Sequence, residues 1–282
     1  MGFKVHMKEF IGEENIAIVI VTYNPIISIL RENVEHYSEK FKVIISDNNS
    51  KNVESVLKCF SENKNVILIK HKKNVGIAKA QNDAIKFLFD KYDEVNFFCF
   101  FDQDSFLENR NVIKLKEELK DQKKEKVAII GPNHGSLQKN MGNLIEVNQI
   151  ISSGSIVEKK VFEDIGFFLE KLFIDFVDYE WCWRAKKKGY KIFMDCSIVL
   201  KHQIGLNKKS IKFGKIVVQP RRLYFVFRNC LYLLKSGKII QSQRKKWYYF
   251  LFKQIIFNII FGDKRLLRFK MIVKGCLESN KV

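Results

Sequence analysis

The chain is predicted to fold as an α/β protein: a mostly parallel central sheet flanked by helices, followed by a helical C-terminal appendage. Three features carry this expectation. Short apolar, β-branched or aromatic runs alternate with polar helical stretches through the first half. Acidic and polar residues recur directly after those runs, and carboxylates so placed gather at the carboxyl edge of a parallel sheet, where open α/β proteins bind ligands. After about Gly205 the chain turns basic and aromatic.

The first strand is expected over 17–23, where Ala17 to Val21 leads into Thr22-Tyr23-Asn24. A second, over 43–47, ends in Asp47-Asn48-Asn49-Ser50, and a third, over 66–69, precedes Asn74-Val75-Gly76. Ile77 to Lys91 then reads as a helix. A strand over 95–101 runs into Asp102-Gln103-Asp104, followed by a helix from Glu108 to Lys124 and a strand over 127–130. This succession is the βαβ pattern of a parallel sheet with covered faces. Pro132 to Gln149 is a Gly/Asn-rich loop, and Ile150 to Val157 is expected as another strand. A helix is expected from about Asp178-Tyr179-Glu180-Trp181, with Arg184, Lys186, Lys187 and Lys188 at its solvated end and Gly189 closing it.

With 282 residues, 46% hydrophobic and 13% aromatic, the chain can bury a full core, which excludes disorder. Its 50 Lys and Arg against 31 Asp and Glu give a formal charge of +19, which favours nucleic acid, an anionic membrane surface or a phosphorylated substrate as partner. The cysteines, Cys59, Cys99, Cys182, Cys196, Cys230 and Cys276, form no CxxC pair and several lie in apolar runs, as expected of reduced core residues in a cytosolic protein. Met1 to Glu14 has no apolar core segment, so no signal peptide is expected there.

In the C-terminal part, Leu223–Leu234 and Trp247–Phe261 are strongly apolar and flanked by arginine and lysine. The second run is shorter than the roughly 20 residues that cross a bilayer. On a helix, Lys246, Lys253, Gln254 and Asn258 fall within an arc of roughly 140°, leaving one broad greasy face. Two readings compete: a helix lying in the membrane interface with basic residues on anionic headgroups, or a helix covering the sheet domain.

Several residues carry candidate chemistry. Asp102 and Asp104 face the same way in an extended segment, which suits a divalent cation also bridged by substrate phosphates; the alternative is a solvated turn. Asp47, with the Asn and Ser residues after it, can accept hydrogen bonds from a nucleobase or ribose, or serve an ordinary turn. Asn74 and Gly76 open a helix whose N-terminus attracts phosphate, and Lys79 adds positive charge nearby. Neither a P-loop nor a dinucleotide-binding glycine signature is present. Trp181 and Trp183 are candidates either for stacking on a sugar face or for the core.

The order Thr-Tyr-Asn, Asp-Asn-Asn-Ser, Asn-x-Gly, Asp-x-Asp and Asp-x-Glu-Trp over residues 15–205 resembles glycosyltransferase family 2, the inverting sugar-nucleotide transferases of GT-A fold. Phe101 to Ser105, Leu172 to Cys182 and His202-Gln203-Ile204-Gly205 look most like its bacterial rhamnosyltransferase branch.

The resemblance implies a GT-A domain over 1–205, with a nucleotide-binding half at about 15–131 and an acceptor half at about 132–205, and a basic aromatic region over 206–282. It implies that Thr22, Tyr23, Asn24, Asp47, Asn74, Gly76, Lys79, Asp102 and Gln103 hold the nucleotide sugar. Asp102, Asp104 and His202 are implied to hold Mg²⁺ or Mn²⁺. Asp178 matches the catalytic base, with Asp175 and Glu180 as competitors; Asp175, Glu180 and Trp181 lie on the acceptor side. The usual Glu-Asp pair is here Val177-Asp178. The implied reaction moves L-rhamnose from dTDP-rhamnose, with a UDP-sugar as the alternative donor, onto a saccharide or lipid-linked glycan. The setting implied is the cytoplasmic face of an anionic membrane. Nucleic acid is not an expected partner, since Asp102, Asp104 and Asp178 would repel its phosphates. The residues leave the oligomeric state open.

Overall fold

The computed structural model describes residues 15–122, 125–135, 144–202, 211–212, 215–216 and 218–282, with the backbone alone for 202, 211, 212, 215 and 216. The first half alternates as its hydrophobic pattern demands. Strand β1 (Ile16–Thr22) is followed by helix α1 (Ile27–Ser38), β2 (Lys42–Asp47) by α2 (Val53–Phe60), and β3 (Val66–Lys70) by α3 (Ile77–Lys91). Then come β4 (Phe97–Asp102), the short β5 (Ser105–Phe106), α4 (Asn109–Asp121) and β6 (Val127–Asn133). After β7 (Leu144–Glu146) and β8 (Ile156–Glu158) follow α5 (Lys159–Ile165), α6 (Val177–Lys187), β9 (Lys191–Val199) and β10 (Lys201–His202). The short β11 (Ile211–Lys212) and β12 (Lys215–Ile216) pair with each other. Helices α7 (Pro220–Lys235), α8 (Arg244–Ile260) and α9 (Arg265–Leu277) complete the chain.

The main sheet runs β3-β2-β1-β4-β8-β6-β9-β7. Strands β2 and β4 lie parallel to β1 on either side, so the order turns back on itself beside β1. This is the topological switch point of an open α/β sheet. β2 and the inner residues of β1 and β4 are buried on both faces, which explains their near-continuous Val, Ile and Phe content.

The segment expected as a strand over 150–157 is shorter than that. Only Ile156–Glu158 pairs as a strand, antiparallel to β4 and β6. Ahead of it the backbone turns: Ser155 N–H donates to Ser152 O at 2.8 Å, Ser155 Oγ donates to Ile151 O at 2.7 Å, and Gly154 has φ +78°. Hydroxyls that bond nearby backbone oxygens offer an alternative to the ladder, and the apolar residues flanking them concealed it.

The C-terminal helices are built into the same core. Leu223, Phe227, Cys230, Leu233 and Leu234 of α7, Trp247 and Leu251 of α8 and Ile272 of α9 belong to the hydrophobic cluster that covers one face of the sheet. Gly275 admits α9 to α7 closely, since a Cβ there would meet Tyr224 O at 2.6 Å. The polar stripe anticipated on α8 lies partly inward: Asn258 is buried, accepts from Arg268 Nη1 at 2.9 Å and donates to Gln254 O at 2.9 Å. Its exposed face instead carries Tyr248, Tyr249, Phe252, Ile256 and Ile260. Among the described residues no helix is long and apolar enough to cross a membrane.

Candidate active site

The parallel register brings the sequence motifs to one level. Thr22 lies opposite Asp47 and Val21 opposite Asp102, so three strands end together at the switch point. The turns beyond them are tied to one another: Gln103 Oε1 accepts Tyr23 N–H at 2.8 Å, and Asn24 N–H donates to Ser50 Oγ at 2.8 Å. Tyr23 and Asn24 are exposed there, while Asp102, Gln103 and Asp104 are half-buried. β10 returns beside this turn, placing the His202 backbone opposite Ser105, next to Asp104. The His202 side chain lies outside the described residues.

The turn at 150–155 joins the two halves of the site. Ser153 Oγ accepts Asp102 N–H at 3.1 Å, and Gly154 N–H donates to Phe100 O at 2.6 Å. Ser152 donates from its backbone and its hydroxyl to the Asp178 carboxylate. Asp178 opens α6 and is half-buried. Burial, with the negative charges of Asp102 and Asp175 adding to it, pushes its carboxyl up to about 6 against the Ser152 hydrogen bonds. A carboxylate of that basicity beside a second acidic centre suits proton abstraction near neutral pH.

Asp175 and Glu180, the rivals of Asp178, are otherwise engaged. Asp175 receives a bidentate bond from Arg222 of α7, with Nη2 at 2.7 Å and Nε at 3.0 Å. Glu180 is 2% exposed and pairs with Arg184, whose guanidinium also donates to Ile165 O and Phe167 O at 2.8 Å. Glu180 therefore braces the turn after α5.

The other implied site residues make contacts within the protein. Asp47 is fully buried and its carboxylate accepts from Thr22 Oγ1 at 2.8 Å, Ser50 N–H at 2.8 Å and Ser50 Oγ at 2.5 Å, so Asp47 and Thr22 tie the strand ends together. The start of α3 is taken up within the protein. Val75 N–H donates to Asn48 Oδ1, Gly76 N–H to Asn74 Oδ1 and Ile77 N–H to Phe173 O, at 2.9, 3.0 and 2.7 Å, so Asn74 and Gly76 form a turn against their neighbours. Gly76 has φ +85°, and a Cβ there would stand 2.6 Å from Phe173. Lys79 is paired with Asp83 at 2.9 Å and lies 3.8 Å from Glu170. Trp181 is 1% exposed, packs on Phe162 and Phe168, and donates from its indole to Gly166 O at 2.8 Å, which makes it a core residue.

Sequence reasoning missed Ser152, Ser153, Arg222 and Asn229. For the serines a signal existed, since Ser-Ser-Gly-Ser is turn chemistry inside an apolar run. For Arg222 and Asn229 none did, because they approach from a helix some fifty residues downstream.

Two carboxylates at one strand end fit a hard divalent cation that also takes phosphate oxygens from a bound nucleotide. Among the described residues no three His, Cys, Asp or Glu side chains converge to hold a metal by themselves.

A mostly parallel sheet with acidic turns at its switch point and the Asp178 carboxylate nearby is the ligand edge of an open α/β protein. The sequence model of glycosyl transferase family 2 matches residues 17–174, and the chain belongs to that family. It is therefore a glycosyltransferase. Among curated proteins it is 34% identical to the dTDP-rhamnosyl transferase RfbF of Shigella flexneri over 251 residues, covering 80% of this chain and 81% of that one. Among solved structures, TarS 1–349 of S. aureus superimposes with a TM-score of 0.54 at 14% identity, covering 94% of this chain and 80% of that one. GalNAc-T7 with UDP, GalNAc and Mn²⁺ gives 0.53 at 11% identity over 82% of this chain and 53% of that one. These two likenesses bear on the fold alone.

Proposed function

We propose that the chain transfers L-rhamnose from dTDP-rhamnose, with inversion, onto a saccharide or lipid-linked glycan acceptor in cell-envelope polysaccharide synthesis. The likeness to a dTDP-rhamnosyl transferase over four-fifths of both chains is the observation that carries the donor. Asp178 takes the proton from the acceptor hydroxyl as its oxygen attacks the anomeric carbon, and the bond from that carbon to the diphosphate breaks, releasing dTDP. Tyr23, Asn24 and Gln103 border the nucleotide at the ends of β1 and β4. Asp104, with Asp102 and His202, would hold Mg²⁺ or Mn²⁺, which when bound offsets the charge that builds on the leaving diphosphate.

The same proposal places the enzyme peripherally on the cytoplasmic face of the membrane. Apart from Tyr23, Ile26 and Val199, the exposed large hydrophobic residues among those described all lie between Tyr248 and Leu277. On α8 and α9 they are interleaved with exposed Lys245, Lys246, Lys253, Arg265, Lys270 and Lys274. An apolar face studded with cations matches the edge of an anionic bilayer.

The deciding experiment is a donor screen read by product mass, offering dTDP-rhamnose and UDP-sugars with a lipid-linked acceptor. Addition of a deoxyhexose from dTDP-rhamnose is expected. Turnover of a UDP-sugar alone would reassign the donor, leaving the family intact.

A further inference from the structure

The loop that leads into α6 is strained and held from outside. Phe173, Asp175 and Phe176 have φ of +66°, +65° and +66°, a region that side-chain-bearing residues rarely occupy, and Phe176 is the residue from which α6 starts. Such a backbone persists only where its surroundings over-determine it. Here the surroundings are α7. Asn229, fully buried, donates through one amide nitrogen to Leu172 O at 2.9 Å, Ile174 O at 2.8 Å and Asp175 O at 3.0 Å. Arg228 donates to Lys171 O and Leu172 O at 2.9 and 3.0 Å, and fixes Asn229 by donating to its Oδ1 at 2.9 Å. Arg222 closes on the Asp175 carboxylate from the first turn of the same helix. On the other side Phe173 O accepts from Ile77 and Phe173 presses on Gly76, so the loop is wedged between α7 and α3.

We propose that α7 is a clamp for catalysis, with Asn229 and Arg222 as positioning residues: through loop 172–176 they fix the start of α6, and with it the reach of Asp178 toward the acceptor. This rests on the reading of Asp178 as base. It gives the C-terminal region a part in the reaction that is separate from membrane attachment. A displacement of about 1 Å at a reacting group can cost on the order of 10²-fold in rate.

Two measurements on the full chain test it. In the first, kcat and the Kd for dTDP are compared in Asn229→Ala, Arg222→Gln and Arg222→Lys, with whichever donor the wild type turns over. Asn229→Ala and Arg222→Gln are expected to lose 10- to 100-fold in kcat with the Kd for dTDP within about twofold, and Arg222→Lys to recover part of the loss. A Kd that weakens in step with kcat would overturn the proposal and make these residues donor contacts. In the second, backbone amide exchange is followed in the same variants without substrate. Faster exchange confined to residues 172–178 supports the clamp, and exchange unchanged there, or raised throughout the fold, overturns it. A wild type inactive with every donor sinks the functional reading, while the exchange result still decides the clamp.

Discussion

Asp178 is distinguished from its acidic neighbours by what surrounds it, not by its residue type. Asp175 is neutralised by Arg222, Glu180 by Arg184, and Asp47 is bonded by Thr22 and Ser50, whereas among the described residues Asp178 has the neutral donor Ser152 and a carboxyl raised to about 6. A base must be ionised to act, so kcat/KM is expected to be low below pH 6 and to rise with pH through about 6, measured by initial rates in overlapping buffers. Asp178→Asn should lower kcat by about 10²–10⁴ and leave dTDP affinity unchanged. Asp175→Asn retaining less activity than Asp178→Asn would move the base to Asp175. Asp104→Ala should weaken binding of Mn²⁺, titrated in the presence of dTDP, and cut turnover by on the order of 10²-fold or more. Activity that survives excess chelator in the wild type would remove the metal from the scheme. Of these residues the acidic ones were readable in advance because strand ends bearing Asp-x-Asp or Asp-Asn-Asn-Ser announce a ligand edge. Which of them are paired within the protein was only partly readable, since Arg222 reaches Asp175, and Ser152 reaches Asp178, from other parts of the chain.

At the scale of elements, the glycine before α3 is held by a close neighbour from a distant loop. Asn-Val-Gly ahead of a helix suggested close approach of a phosphate. The close approach exists, but the neighbour is Phe173, 2.6 Å from where a Cβ would be. Gly76→Ala therefore combines a disfavoured φ with a steric clash and should cost about 2–4 kcal/mol, lowering the melting temperature by roughly 5–10 °C in thermal denaturation. A shift under 1 °C would mean that the loop yields freely, contrary to its wedging between α7 and α3. The αβ alternation was legible because each strand and helix buries its own face. The turn at 151–155 was not: its apolar flanks read as strand, and only the folded chain shows the serine hydroxyls and backbone tied to Phe100, Asp102 and Asp178 instead of to a ladder.

Taken whole, the molecule has two unequal faces. The sheet edge is acidic and polar, while α8 and α9 expose aromatic and aliphatic side chains among lysines. Full-length protein is expected to co-sediment with vesicles containing anionic lipid and to be released by salt, each basic residue at such a surface contributing about 1 kcal/mol at low ionic strength. Replacing Phe252 and Ile256 by serine should reduce that binding while leaving turnover of a water-soluble acceptor unchanged. Binding that resists both high salt and alkaline carbonate would point to deep insertion instead. The amino-acid sequence by itself determined the α/β class, the strand ends where the acidic motifs lie, and the basic aromatic character of the C-terminal region. All three depend on the periodicity of neighbouring residues, which a chain carries in its own order. Only the tertiary structure decided that Trp181 belongs to the core, that Asp47 and Lys79 are paired internally, that α8 turns Asn258 and Trp247 inward and Tyr248, Tyr249 and Phe252 outward, and that α7 grips the loop before Asp178. These outcomes are set by partners that a local pattern does not name, some as near as Asp83 to Lys79 and some as far as Asn229 from Asp175, and packing and charge pairing override what such a pattern can specify.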